Sequence, residues 1–86
     1  MSYDPSTVSL YKDVIGHEYE RARERYKPFN SAHEGYAVLL EEVDEMWEAI
    51  KKNDLIGARK EAIQVAAMAL AFLNEVYSPE DDEDGA

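Results

Sequence analysis

Four oxygen-bearing side chains lie three residues apart, in two pairs, on two predicted helices. Glu42 and Glu45 belong to the acidic stretch EEVDEMWE, and Glu61 and Gln64 open the later stretch EAIQVAAMALAFLN. Side chains three apart lie on one face of an α-helix, so each pair can point to a common centre. Oxygen ligands from packed helices suit hard cations such as Mg²⁺ or Mn²⁺. The spacing therefore predicts a metal site between two helices.

The acids of the second helix are of two kinds on a helical wheel drawn at about 100° per residue. Glu41 and Glu48 lie on an ordinary solvated side, whereas Glu42 and Glu45 share a partly apolar strip with Val38 and Ala49. If another helix covers that strip, both acids are desolvated like charges that need a cation or a donor. The alternative is that the strip is half exposed. The predicted core face of this helix is a separate arc that holds Tyr36, Leu39, Leu40, Val43, Met46, Trp47 and Ile50.

Basic side chains are concentrated near the end of the first predicted helix. Arg21 and Arg25 lie four residues apart, close to Arg23 and Lys27. A guanidinium fork matches phosphate oxygens, so we consider Arg21 and Arg25 as candidate substrate-binding residues. The alternative is surface pairing with neighbouring glutamates of the same helix.

Two further residues are candidates for substrate contact, each with an ordinary structural alternative. His33 lies where it can contact a sugar or base, or pack against the preceding connection KPFN. Lys60 precedes Glu61 and can reach a phosphate or remain solvated. Phe29, Asn30 and Tyr36 can line a base pocket, although aromatic residues of helical proteins more often pack in the core.

Three helices must position these side chains, because no segment alternates with period two and Pro and Gly are sparse. Asp4-Pro5 is a helix start, and Ser31 with Glu34 matches a capping box. We expect helices at about residues 5–26, 31–52 and 58–77, with a break that includes Asn53, Asp54 and Gly57. The fold class is all-α.

The third helix lacks any charged side chain from Ala62 through Asn74. A helix that is apolar all round must be covered all round, and two other helices of one short chain cannot do that. We therefore expect the three-helix chain to complete a helical bundle by oligomerisation, as a homodimer or homotetramer.

Length and charge narrow the class of protein further. The chain has 86 residues, no cysteine and a net charge of −10, and five acids lie in its last seven residues. We expect one domain over residues 1–78 and an acidic disordered tail over 79–86. Such a charge balance argues against nucleic-acid binding. The absence of a membrane-spanning or signal-like segment predicts a cytoplasmic protein.

The segment EEVDEMWEAI, followed after a short turn by RKEAIQVAAMALAFL, resembles the MazG-like branch of the all-α nucleoside triphosphate pyrophosphohydrolases. The signature of that family is E-x-x-E on one helix and E-x-x-D on the next, and the resemblance covers about residues 31–74. The stretch NSAHEGYAVLLEE also resembles short, phage-type members.

The resemblance implies Mg²⁺- or Mn²⁺-dependent hydrolysis of a (deoxy)nucleoside triphosphate, such as the purine nucleotide dGTP, to the monophosphate and pyrophosphate. Glu42 and Glu45 correspond to the first pair, as catalytic and metal-binding residues, and Glu61 begins the second. Gln64 stands where the family has Asp, so the site carries one negative charge fewer. Two alternatives remain: a non-catalytic helical oligomerisation or interaction module, and a phosphohydrolase that cleaves a nucleotide elsewhere.

Overall fold

A computed structural model describes residues 2–77 of the chain, and these form three α-helices. Helix α1 spans Pro5–Arg25, α2 spans Ala32–Lys51 and α3 spans Leu55–Glu75. No residue of the described range is in a β-strand. The prediction of an all-α chain with three helices is confirmed, and the helix ends differ from the expected ones by at most three residues. The expected tail at 79–86 lies outside the described residues.

The first helix begins as its sequence predicts. The Asp4 side chain accepts a hydrogen bond of 3.0 Å from the Ser6 backbone N–H, and Pro5 occupies the first helical position. These two residues together satisfy or remove donors that the helix start leaves free. The helix ends at Arg25, shortly before Pro28.

The start of α2 forms one half of the predicted capping box, and the other half has a different partner. The Ser31 hydroxyl accepts from the Glu34 backbone N–H at 3.1 Å, as expected for the N-cap residue. The Glu34 carboxylate, however, accepts from the backbone N–H of Asn30 at 3.0 Å rather than from that of Ser31. Glu34 thus fixes the connection as well as the helix end.

The turn between α2 and α3 is tighter than expected. Asn53 has a φ of 58°, a left-handed conformation that asparagine tolerates better than most residues. Asp54 then caps α3 by accepting from the Gly57 backbone N–H at 2.9 Å. Gly57 is therefore inside α3. The predicted helix start at residue 58 was wrong, because Asp54 was assigned to the break between the helices and was not recognised as the N-cap residue.

Helix α3 is the central element, because α1 and α2 each pack against it and not against one another within residues 2–77. Its alanines Ala58, Ala67 and Ala71 are buried, and small side chains permit close approach of neighbouring helices. At the start of α2, Gly35 is buried so close to Phe72 that an added Cβ would lie 2.7 Å from the ring. Four large apolar residues of α3, Leu55, Ile56, Leu70 and Leu73, remain exposed within the described residues, and the expected oligomerisation stays a prediction.

The predicted core face of α2 was wrong for most of its members. Tyr36, Leu40, Val43, Trp47 and Ile50 are all exposed, whereas Leu39 and Met46 are half-buried. The face that packs on α3 instead includes Val38, Glu42 and Ala49. Hydrophobicity alone placed the wider apolar arc inside the chain, but the contacts with α3 use the adjacent arc.

The apolar and aromatic side chains of α1 are half-buried only in the middle of the helix. Tyr11, Ile15, Tyr19 and Ala22 are half-buried, whereas Val8 and Tyr26 at the two ends are exposed. Within residues 2–77, none of the helices is both long enough and apolar enough to cross a membrane.

Candidate functional site

Three carboxylates from two helices converge where α2 packs on α3. One carboxylate oxygen from each of Glu42, Glu45 and Glu61 lies within 4.8 Å of the others. Glu42 and Glu61 are half-buried, and Glu45 is exposed. We refer to these three residues as the acidic triad. The sequence-based prediction that they lie together agrees with this arrangement.

The packing of α2 on α3 explains why the acids meet. Val38, Glu42 and Ala49 are half-buried along one strip of α2, so α3 covers that strip only in part, and the structure lies between the two sequence-based interpretations. Glu45 lies at the edge of the same strip, where it remains exposed. Glu61 is in the second turn of α3 and faces this strip.

The environment of Glu42 opposes its ionisation. Burial, and then the nearby carboxylates of Glu45 and Glu61, raise the pKa of Glu42 from its ordinary value to about 7. In addition, the Glu61 Oε2 atom is buried and has no hydrogen-bond partner among residues 2–77. A buried carboxylate oxygen without a donor is costly. Among the ion pairs of residues 2–77, none involves a member of the acidic triad.

Gln64 follows Glu61 by three residues and is half-buried on the same helix. It lines one cleft together with Glu42, Val38 and Met68. Its side chain offers a neutral amide oxygen that can ligate a hard cation or accept a hydrogen bond.

The acidic triad lies beside a cleft of about 560 Å³ between α1 and α2. The cleft is open because these two helices do not pack on one another, so α3 provides its floor. Its α1 side carries three arginines and one acid, Glu18, whereas its α2 side carries only acids among its charged residues. Its charged lining residues are Glu18, Arg21, Arg23, Arg25, Lys27, Glu34, Glu41 and Glu42.

Arg21 and Arg25, the arginines predicted from sequence to bind substrate, both line this cleft. Arg21 pairs with Glu18 at 3.3 Å, but 70 % of its side chain remains exposed. The Arg25 guanidinium lies 5.9 Å from the centre of the Tyr26 ring. The surface pairing considered as an alternative therefore exists for Arg21, and it is an exposed i,i+3 pair of the kind that contributes little to stability.

His33 and Lys60 lie apart from the cleft lining. His33 is exposed in the first turn of α2. Lys60 is exposed and lines a different groove, between α1 and α3, with Tyr11 and Ile56. The structure thus brings the arginines and the acids to one cleft and leaves these two candidates outside it. Among the aromatic candidates, Phe29 lines the cleft and Tyr36 is exposed.

The sequence did not reveal the role of Glu75, which links α1 and the connection after it to the end of α3. Glu75 has a side chain that is only 4 % exposed, and it accepts hydrogen bonds from Tyr19, from Arg23 and from the Phe29 backbone. Its partners lie more than 45 residues away in sequence, so no local spacing could identify them. The available signal was a single acid that follows a long uncharged segment.

Comparisons of the chain with protein-family models, with curated proteins and with solved structures found no match.

Proposed function

We propose that this protein is a metal-dependent nucleoside triphosphate pyrophosphohydrolase. The observation that carries the proposal is the convergence of Glu42, Glu45 and Glu61 beside a cleft lined by arginines. The resemblance of residues 31–74 to MazG-like enzymes supports the same reaction. The substrate class is a (deoxy)nucleoside triphosphate, for which dGTP is the first candidate.

The acidic triad fits a divalent cation by its donor chemistry. All of its ligand atoms are carboxylate oxygens, which Mg²⁺ and Mn²⁺ prefer over nitrogen or sulfur. A bound cation would give the Glu61 Oε2 atom a partner, and it would favour the ionised form of Glu42, whose pKa is raised. Glu42, Glu45 and Glu61 would hold the ion, and the Gln64 amide oxygen is a further donor in the same cleft.

The chain's own residues then have separable roles in cleavage. Arg21 and Arg25 bind and orient the phosphates from the α1 side. A water attacks the α-phosphorus, the bond to the oxygen that bridges the α- and β-phosphorus breaks, and pyrophosphate leaves. Glu42 or Glu45 accepts the proton of that water. A Mg²⁺ or Mn²⁺ ion held by the acidic triad would supply charge neutralisation at the phosphates and would lower the pKa of the water.

The proposed assembly is a homodimer or homotetramer. Within residues 2–77 only Ala58, Ala67 and Ala71 form a buried apolar core, and no large side chain is fully buried. A core of three alanines is small for a chain that must offset its conformational entropy on folding. Additional burial between subunits would supply the missing stabilisation. The cytoplasmic location expected from the sequence is consistent with a nucleotide substrate.

A second candidate function is a non-catalytic helical interaction module. The exposed apolar residues of α2 favour it, because contiguous apolar surface commonly marks an interaction site. That function does not require the acids of α2 and α3 to converge, and we therefore rank it second.

The test is product analysis after incubation of the protein with each nucleoside and deoxynucleoside triphosphate and Mg²⁺ or Mn²⁺. Monophosphate with pyrophosphate is the expected result, and Glu42→Gln and Glu61→Gln should abolish it while Asp44→Asn, an exposed acid of the same helix, should not. Release of orthophosphate would instead indicate a different phosphohydrolase. Inertness across the panel would favour the interaction module.

The two cleft arginines provide a finer test of the same reaction. Arg21→Ala and Arg25→Ala should raise KM for the triphosphate by about tenfold or more, because each removes a charge-assisted phosphate contact. Lys60→Ala is the matched control, since Lys60 lies in the other groove. An equal effect of all three variants would contradict the assignment of the cleft.

A further inference from the structure

Helix α2 carries an exposed apolar stripe, which we call the α2 seam. Its members and their exposed fractions are Tyr36 at 62 %, Leu40 at 41 %, Val43 at 41 %, Trp47 at 55 % and Ile50 at 38 %. Successive members are alternately four and three residues apart. This is the spacing by which one helix packs along another in a coiled-coil-like pair. Within residues 2–77, α2 packs only on α3, and α3 leaves the α2 seam exposed.

The size of the α2 seam matches what a stable interface needs. Two aromatic side chains exposed by more than half and three aliphatic ones exposed by about two fifths present roughly 400 Å² of apolar surface. A standard interface buries about 800 Å² per partner, of which about 60 % is apolar. One helix therefore carries most of the apolar area that such an interface requires.

We infer that the α2 seam is the surface on which two copies of this chain pair, with their α2 helices antiparallel. A second copy is always present at the same concentration and carries the same stripe, so the contact is isologous and closes as a dimer. Each chain then covers the large side chains that its own helices leave exposed. The inference deepens the proposed homo-oligomer and does not depend on the proposed hydrolysis.

The helix dipole favours the antiparallel arrangement. A parallel pair would align the two helix dipoles unfavourably and would place each member of the α2 seam beside the same residue of the other chain. An antiparallel pair with its two-fold axis near Val43 opposes the dipoles. It also places Tyr36 of each chain near Ile50 of the other.

The first experiment is sedimentation equilibrium of the full chain and of variants with a charge placed in the α2 seam. The wild type should be dimeric or a higher even oligomer at 50 µM, and Val43→Glu and Trp47→Glu should weaken association by about 100-fold. Leu10→Glu is the matched control, because Leu10 is 58 % exposed on α1 and lies outside the α2 seam. Far-UV circular dichroism verifies that each variant keeps its helices.

The outcomes of this experiment distinguish the two proposals. A monomeric wild type would overturn both the homo-oligomer and the pairing of the α2 seam, and would leave the seam to a partner of another kind. An oligomer that persists in both α2 variants would overturn the α2 seam alone. Hydrolysis is assayed separately, so its absence bears on neither.

Cross-linking tests the surface and its direction without relying on a disruptive charge. The chain has no cysteine, so cysteines can be placed singly. A mixture of Tyr36→Cys and Ile50→Cys chains should couple through a short bismaleimide, whereas Tyr36→Cys chains alone should not. Efficient coupling of Tyr36→Cys chains with one another would overturn the antiparallel arrangement. An oligomer that couples in neither case would place its interface elsewhere.

Discussion

The carboxylate of Glu75, in the last turn of α3, accepts a hydrogen bond of 3.0 Å from the backbone N–H of Phe29. The same carboxylate accepts from Tyr19 Oη at 2.9 Å and from the Arg23 guanidinium. One buried acid thus ties α1, and the connection that follows it, to the end of α3. Because α1 carries Arg21 and Arg25, this group also fixes where the basic side of the cleft lies relative to the acidic triad.

Replacement of Glu75 by Gln should lower the free energy of unfolding by about 2–4 kcal/mol, because the partly buried Arg23 loses its counter-ion. Urea unfolding followed by circular dichroism measures the change. Glu24→Gln, an exposed acid of α1, is the control and should change stability by less than about 0.5 kcal/mol. Equal stability of the two variants would show that the Glu75 network is not a net stabilising feature.

Acid should destabilise the protein through the same residue. Burial alone would raise the pKa of Glu75, but the hydrogen bonds from Phe29, Tyr19 and Arg23 outweigh it and lower the pKa below its ordinary value. Stability from this group is therefore fully present above about pH 4.5 and is lost as the pH falls through the lowered pKa. Thermal unfolding of the wild type between pH 5 and pH 3 should show a steeper loss than that of Glu75→Gln.

Glu42→Gln should stabilise the metal-free protein above neutral pH by about 1–2 kcal/mol, since it removes a desolvated charge between two other acids. The pKa of Glu42 is raised to about 7, so the stability of the wild type is fully present below about pH 4.5 and is lost as the pH rises through 7. Chemical unfolding in EDTA at pH 5 and pH 8 measures this difference. Asp44→Asn should leave the wild-type pH dependence unchanged, and an unaltered profile in Glu42→Gln would contradict the prediction.

Divalent ions should reverse that pH dependence. Binding of Mn²⁺ to the acidic triad requires ionised Glu42, so near pH 7 it should release about half a proton per chain. Titration calorimetry in two buffers of different ionisation enthalpy measures this release. Glu61→Gln should weaken Mn²⁺ binding by tenfold or more, and equal binding by wild type and variant would place the ion elsewhere.

Two glycines provide a matched pair for the close approach of α2 and α3. Gly35→Ala should destabilise the protein by about 1–3 kcal/mol, because its Cβ would lie 2.7 Å from Phe72 and 3.1 Å from Phe29. Gly16→Ala should instead stabilise it by about 0.5–1 kcal/mol, since the added Cβ on α1 meets no atom within 4 Å. The midpoints of thermal unfolding should move in opposite directions.

Local sequence signals predicted the helices and the pairs of acids well, because caps and i,i+3 spacing depend on neighbouring residues. Asp4, Ser31 and the pair Glu42 and Glu45 are all of this kind. The orientation of α2 could not be predicted in the same way. Two adjacent arcs of α2 are both apolar enough to pack, and only the contact with α3 decides which one is buried. The hydrogen bonds of Glu75 could not be predicted from local spacing either, since they join segments that are distant in sequence.

Within residues 2–77, α1 packs on α3 and not on α2, so the helix that carries the arginines contacts the helices of the acidic triad through α3 alone. A change in the tilt of α1 would therefore alter the distance between guanidinium and carboxylate groups without repacking α2. Ligands of different length could be accommodated by substitutions at the α1–α3 contact alone. The distance between the arginines and the acidic triad could therefore change while the arrangement of the three carboxylates stays the same.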